Sequence, residues 1–239
     1  MRKRSVLAIS AAVGAVAAAC IFSTISCRTE NSSAAREEAT IKFPAPSLDG
    51  KTSLEAALQK RRSVRSYTSE PLTLAQVSQL LWAAQGISDP ARGFRTAPSA
   101  GALYPLKVYL VAGNVKGLSP GVYRYEPKGH KLALVAKGDQ RGSLCAASLS
   151  QSPIKEAPAS IAILGDYSIT ARKYGERAPR YVHIEVGHAG QNVLLQAVAL
   201  NLGAVGMGAF EDEQVRKALG APDNETPLYI IPVGNRKPR

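Results

Sequence analysis

Between Val186 and Phe210 the chain carries no Asp, Glu, Lys or Arg. A helix built from such a stretch has to be covered by protein on most sides, which confines it to the interior of a sizeable core. Titratable and amide groups stand at its head: Lys173-Tyr174-Gly175-Glu176-Arg177, then Tyr181 through Asn192. At 3.6 residues per turn Glu185, His188, Asn192 and Gln196 share one stripe, while Gly187 and Gly190 offer another surface where a backbone can approach closely. Buried polar groups need partners, so this stripe points to a bound ligand, a subunit contact or a capped internal network.

A chain of 239 residues, 45% hydrophobic and 20% charged, suffices for one ordinary globular domain. Removing Arg2, Lys3 and Arg4 with a leader takes the 30 basic residues to 27 against 18 acidic ones, and the formal charge from +12 to +9. Anionic partners are favoured by that balance. The cations are scattered and no nucleic-acid motif accompanies them, so no nucleic-acid partner is expected.

Arg2-Lys3-Arg4 precedes an uncharged stretch from Ser5 to Ser26 rich in Ala, Val and Ile. A charged head followed by an apolar run reads as an export signal or a membrane anchor over residues 1–27. Thr24-Ile25-Ser26-Cys27 is similar to a bacterial lipoprotein cleavage box with Thr in place of the usual Leu, and Lys3-Arg4-Ser5-Val6-Leu7 to a weakened twin-arginine signal. The expectation is an exported protein, periplasmic or membrane-tethered. Cys20 and Cys27 fall in this leader, so Cys145 alone remains in the body and no intrachain disulfide framework is available.

Residues 28–51 are polar with Pro44, Pro46 and Gly50 as breakers, and read as a tether; the folded domain is expected over 52–239. Ser53 caps a helix over Leu54–Arg61, and Leu74–Gln85 repeats the pattern after Pro71. Strands are expected at Leu106–Ala112, Gly121–Tyr125, Ser160–Leu164 and Leu228–Ile231. A long helix over Tyr181–Leu202 leads through a Gly-rich segment into a surface helix, Asp212–Leu219. Helices and strands do not alternate strictly, which favours an α+β fold with one mixed sheet over a doubly wound parallel one.

Two segments carry chemistry in their residue types. Lys60-Arg61-Arg62-Ser63-Val64-Arg65-Ser66 packs four cations and two hydroxyls into seven residues, the donor set of a phosphate clamp or of a solvated basic helix end. Arg95-Thr96-Ala97-Pro98-Ser99-Ala100-Gly101-Ala102-Leu103-Tyr104-Pro105 is small and proline-bracketed, suited to laying backbone N–H groups against a flat ligand or simply to connecting elements. Gly203, Gly206 and Gly208 do not have dinucleotide-fingerprint spacing. His183-Ile184-Glu185 lacks the paired cysteines of a zinc deaminase, and Glu185-x-x-His188 has no second copy to complete a di-iron site. No metal site is expected. A Gly-x-Ser-x-Gly nucleophile elbow is also missing.

Taken in order, the Arg-rich segment, the Pro98–Pro105 loop, Lys173-Tyr174 and Pro232-Val233-Gly234 resemble the nitroreductase superfamily of flavoproteins, and within it the SagB/ThcOx-type dehydrogenases, over Thr52 to Gly234. The resemblance implies a nitroreductase-like FMN-binding α+β fold: a mixed central β-sheet flanked by helices in an intertwined homodimer, with active sites at the subunit interface. It implies that Arg61, Arg62, Ser63 and Arg65 hold the phosphate, ribityl chain and pyrimidine edge of FMN. Pro98, Ser99, Ala100 and Ala102 match the loop that reaches flavin from the partner subunit. Gln151 matches an amide near the isoalloxazine, Met207, Gly208 and Ala209 the backbone beside the ring, and Arg236 a C-terminal phosphate contact. Lys173-Tyr174 matches the pair assigned to proton abstraction as hydride passes to flavin N5. The residue types suit that task, since a lysine whose ammonium is destabilised by its surroundings can act as base and a tyrosine hydroxyl can relay or orient the proton. The substrate is a small molecule or a peptide. The alternatives are an NAD(P)H-dependent nitro or quinone reductase and a tethered flavin-binding protein without turnover.

Overall fold

The computed structural model describes residues 40–237. In chain order, β1 (Thr40–Lys42) is followed by α1 (Leu54–Lys60), β2 (Leu72–Thr73), α2 (Leu74–Gln85), β3 (Ile87–Asp89), β4 (Phe94–Arg95) and a one-turn 3-10 helix at Ala100–Ala102. Next come β5 (Leu106–Ala112), β6 (Val115–Lys116), β7 (Gly121–Glu126), β8 (Lys131–Lys137), α3 (Arg141–Ala147), α4 (Ser152–Glu156) and β9 (Ala159–Gly165). The last third holds α5 (Tyr167–Tyr174), a 3-10 turn at Gly175–Arg177, α6 (Ala178–Ala199), β10 (Leu202–Ala204), α7 (Asp212–Leu219) and β11 (Thr226–Asn235).

Seven strands form one sheet in the order β1-β8-β7-β5-β9-β11-β10. Each of its ladders is antiparallel, so the mixed sheet expected from sequence is corrected: among the described residues, parallel pairing is confined to β2 with β6 and a bridge between Ser63 and Ala204. Both faces of the centre are buried because alternate residues feed two cores. Val108 and Leu110 of β5 join α2 and α6 through Leu80, Leu81, Val182 and Val193, while Tyr109 and Val111 meet α3, α4 and α7 through Leu144, Ile154 and Val215. The result is an α+β fold with helices on both faces of the sheet.

The segment read as a tether enters the fold at Thr40. Thr40–Lys42 pairs with β8, Phe43 is buried in the core, and the Ser47 backbone bonds both ends of the Gln79 amide at 2.8 and 3.0 Å. Ile41 pairs with Leu132 of β8, and both it and Phe43 join the core on that face of the sheet. The leader assigned to residues 1–27, with its cleavage box, lies outside the described residues. Among the described residues no helix is long and apolar enough to cross a membrane.

The long helix runs from Ala178, not Tyr181, because Pro179 occupies its first turn, where the missing N–H has no partner to lose. It stops at Ala199, short of Leu202: Asn201 turns left-handed at φ 59° and Leu202–Ala204 pairs with Val233–Asn235. Coverage is one-sided rather than complete. Val182, Val186, Ala189 and Val193 are buried, while Ile184 is 50% exposed, and Gly187 and His188 face outward.

Candidate functional site

At the carboxyl-terminal end of α6, the segment after α1 crosses β10. Val64 N–H donates to the Ala204 carbonyl at 3.0 Å, and the Tyr67 hydroxyl donates to the Val64 and Pro232 carbonyls at 2.7 and 3.2 Å. Tyr67 is held neutral, its phenol pushed up by burial. This crossing needs Gly203, where a Cβ would come within 2.6 Å of Val64 and 2.7 Å of Arg236. It opens a cleft of about 1000 Å³ whose walls include Arg62, Ser63, Arg65, Asn201, Arg236 and one acid, Glu70. Arg236 is steadied by donating to the Asn201 side-chain oxygen at 2.6 Å. Arg61 caps α1 through its N–H to the Ala57 carbonyl and is not among the lining residues.

From Ala204 the chain continues along β11 to Met207, which exchanges two backbone hydrogen bonds with Ile230 at 2.8 and 3.0 Å. Gly208 and Ala209 are exposed there, and a Cβ at Gly208 would meet nothing within 4 Å. The Gln151 amide donates to the Ala209 carbonyl at 2.8 Å and to the Ser148 carbonyl at 3.0 Å. The structure therefore joins Gln151 to Met207-Gly208-Ala209, residues distant in sequence.

The second cluster lies near the other end of α6. Residues 98–104 form a loop with φ of 61° at Gly101, 54° at Ala102 and 52° at Tyr104. A left-handed non-glycine residue costs about 1–2 kcal/mol, so two of them need compensation. The Ala100 N–H donates to Glu185 Oε1 at 2.9 Å, the Tyr104 N–H to Ser99 Oγ at 2.8 Å, and the Arg95 N–H to the Tyr104 hydroxyl at 3.3 Å. The Arg95 guanidinium stacks 4.5 Å over the Tyr104 ring and donates to Gln85 at 2.8 Å. Pro98 and Ala102 are exposed, and Ser99 and Ala100 half-buried.

Lys173 and Tyr174 end α5 against this loop. A Cβ at Gly101 would stand 2.9 Å from the Tyr174 hydroxyl and 3.0 Å from Lys173 Nζ, so both polar heads converge on the space that only glycine leaves open. Tyr174 packs edge-on to Tyr181 with centroids 4.9 Å apart, and Lys173 is exposed with its ammonium 5.6 Å from the Tyr174 ring centroid.

The polar stripe of α6 divides. Glu185 meets Ala100, Asn192 donates to the Thr96 carbonyl at 3.3 Å, and Gln196 accepts from Gln79 at 3.3 Å, whereas His188 faces outward. Gly190 approaches Tyr229, where a Cβ would be 2.6 Å from the ring, but Gly187 opens on free space. Sequence reasoning did not see that Arg95 and Tyr104 brace the loop. Arg95 before a small-residue run with Tyr104 nine residues on was the only signal, and it needs the fold to be read. Among the described residues no cluster of His, Cys, Asp and Glu suits a metal.

The chain thus combines an antiparallel α+β fold with a cation-lined cleft at one end of its central helix and a braced loop carrying a Lys-Tyr pair towards the other. The sequence matches the Nitroreductase family over residues 58–235, and the chain belongs to that family of oxidoreductases. It is 44% identical over 197 residues to a protein of Methanocaldococcus jannaschii named "Putative nitroreductase MJ1384", covering 82% of this chain and 98% of that one. It is 28% identical over 192 residues to trifolitoxin operon protein TfxC of Rhizobium leguminosarum bv. trifolii, covering 74% of this chain and 54% of that one. A nitroreductase-named structure from Ralstonia eutropha superposes with a TM-score of 0.74 at 27% identity, over 84% of this chain and 90% of its own.

Proposed function

We propose that this nitroreductase-family oxidoreductase is FMN-dependent and of the SagB/ThcOx dehydrogenase type, acting on a small-molecule or peptide substrate. The observation that carries the reading is the convergence of Lys173 Nζ and the Tyr174 hydroxyl over Gly101 in the 98–104 loop. The donor set of the cleft fits a phosphate monoester: the guanidinium groups of Arg62, Arg65 and Arg236, the ammonium groups of Lys60 and Lys237 and the hydroxyls of Ser63 and Ser66, with Glu70 as the one acid on the wall. Arg62, Ser63, Arg65 and Arg236 would hold the phosphate, and Gln151 with the Met207–Ala209 backbone would flank the ring. When bound, FMN supplies a two-electron acceptor at N5. With FMN bound, Lys173 in its neutral amine form would take up the proton lost by the substrate, and the Tyr174 hydroxyl would orient it.

A homodimer is part of this proposal. From Glu185 to Ala199, α6 rises about 20 Å, which keeps the loop of one chain away from its own cleft. What supports a second copy is the open flank of α6 at Ile184 together with Leu54 and Leu58 of α1, 61% and 51% exposed. An isologous pairing along that flank would bring one chain's loop to its partner's cleft. Ile184→Asp is expected to yield monomers in light scattering that also lose FMN; a dimer unaffected by the charge would remove this part of the reading. Export and membrane tethering through residues 1–27 belong to the same proposal, and mass spectrometry of the mature N-terminus tests them.

The enzyme alternative is a nitro or quinone reductase using NAD(P)H. Anaerobic mixing separates the two. Absence of flavin bleaching by NADPH, with bleaching by a dehydrogenase substrate, supports the proposal; rapid bleaching by NADPH overturns it in favour of the reductase. A protein that is colourless and takes up no added FMN sinks both.

A further inference from the structure

The mechanism leaves buried carboxyl groups unused, among them that of Glu185. Glu185 is 3% exposed, its Oε1 accepts the Ala100 N–H, and its Oε2 is buried without a hydrogen-bond partner. A carboxyl with a bare buried oxygen is expensive to keep as an apolar-core residue, and it sits under the one loop whose backbone is left-handed at three of four successive residues, Gly101, Ala102 and Tyr104. The loop's exposed side carries the Lys173 and Tyr174 head groups.

We propose that Glu185 is a positioning residue: its carboxyl fixes the Ala100 amide from below and so sets the course of the 98–104 loop on which the Lys173-Tyr174 pair rests. The groups that face it are Ala100 and Ser99 from the loop, Arg95 from β4 and His188 one turn along α6. Of these, only Ala100 is within hydrogen-bond geometry. Burial raises the Glu185 carboxyl above its ordinary value, Ala100, Ser99, His188 and Arg95 offsetting part of the effect. The Ala100 N–H bond to Oε1 favours the carboxylate and so opposes the effect of burial.

The functional consequence rests on the flavin reading above, but the positioning claim is tested without cofactor. In full-length protein, amide hydrogen exchange of residues 99–104 is compared among wild type, Glu185→Gln and Glu185→Asp. Gln keeps an oxygen within reach of Ala100 and is expected to preserve slow exchange; Asp keeps the acid but withdraws the oxygen by one methylene, and is expected to speed loop exchange about tenfold, with α2 and β9 unchanged. Equal exchange in all three variants overturns the proposal, as does loss of protection spread evenly over the fold, which a purely structural role would give. FMN titration then provides a separate readout. Asp is expected to weaken FMN about tenfold and Gln to restore it. If no variant binds FMN, the flavin reading fails while the exchange result still decides the role of Glu185.

Discussion

At the carboxyl end of α6 the functional groups are long, exposed cations around an open cleft; at its other end they are a buried carboxyl and a stacked guanidinium beneath a strained loop. On the proposed function the first region would select by charge and tolerate mobile side chains, since Arg62 and Arg65 could reach phosphate oxygens from several rotamers. The second selects by shape, because Gly101, Ala102 and Tyr104 keep their left-handed course only while Glu185, Ser99 and Arg95 hold it. On the proposed function, binding and proton transfer would fall to regions with different physical vulnerabilities. Damage to the cleft should cost affinity and leave the fold intact. Damage to the loop's Lys-Tyr pair should cost turnover, whereas damage to the course of the loop should cost affinity as well.

The largest effect expected is at the loop. Lys173→Ala should lower substrate oxidation by about 10²- to 10⁴-fold in single-turnover measurements with FMN binding unchanged, as befits loss of a general base. Retained turnover would move the protein towards the reductase alternative. At the cleft, Arg62→Ala with Arg65→Ala should weaken FMN about 100-fold or more in fluorescence titrations, with an unchanged thermal midpoint, two charge-assisted contacts being worth about 1.5–3 kcal/mol each. A loss of affinity accompanied by a lower midpoint would blur the distinction between the regions.

Between the two regions, the backbone at Gly206 is pressed against Tyr229, where a Cβ would overlap the hydroxyl. Gly206→Ala should cost about 1–3 kcal/mol in urea unfolding, while Gly208→Ala, two residues on in open space, should change stability little. The smallest effect is one of pH. A carboxyl whose folded value is raised binds protons that the unfolded chain has already released, so its contribution to stability is present below the ordinary value of 4.5 and is lost as pH rises from there through the folded value. Glu185→Gln should remove that decline, so its thermal midpoint gains on wild type between pH 4 and pH 8; a gain in the opposite direction would mean that Glu185 is stabilised as the carboxylate.

Much of the framework was legible because it is local. Thr73 with Gln76 forms a complete capping box, and α2 spans Leu74–Gln85 as periodicity predicts; β5 and α7 likewise have the predicted bounds. β1 escaped notice because Thr40–Lys42 is three residues without a pattern, given strand form by pairing with β8. β8 carried a signal as a contiguous apolar run, Leu132 to Ala136 between two lysines, that was not among the expected strands. α3 and α4 are too short, at seven and five residues, for periodicity to register. In the site, Arg62, Ser63 and Arg65 could be read as a donor set because they are adjacent in sequence. The partnership of Gln151 with Ala209 and of Glu185 with Ala100 could not, each spanning 58 or more positions.

The sequence by itself determined that one helix, charge-free from Val186 onward, would organise the domain, that cations would cluster after α1, and that Lys173-Tyr174 would stand ahead of that helix. Those are matters of residue type and short-range spacing. Only the tertiary structure decided that the sheet is antiparallel throughout, that the helix is covered on one flank alone, and that the polar stripe splits into a loop latch at Glu185 and an outward His188. Burial and hydrogen-bond partnership depend on which distant segment comes to lie against a residue, and long-range packing alone settles that.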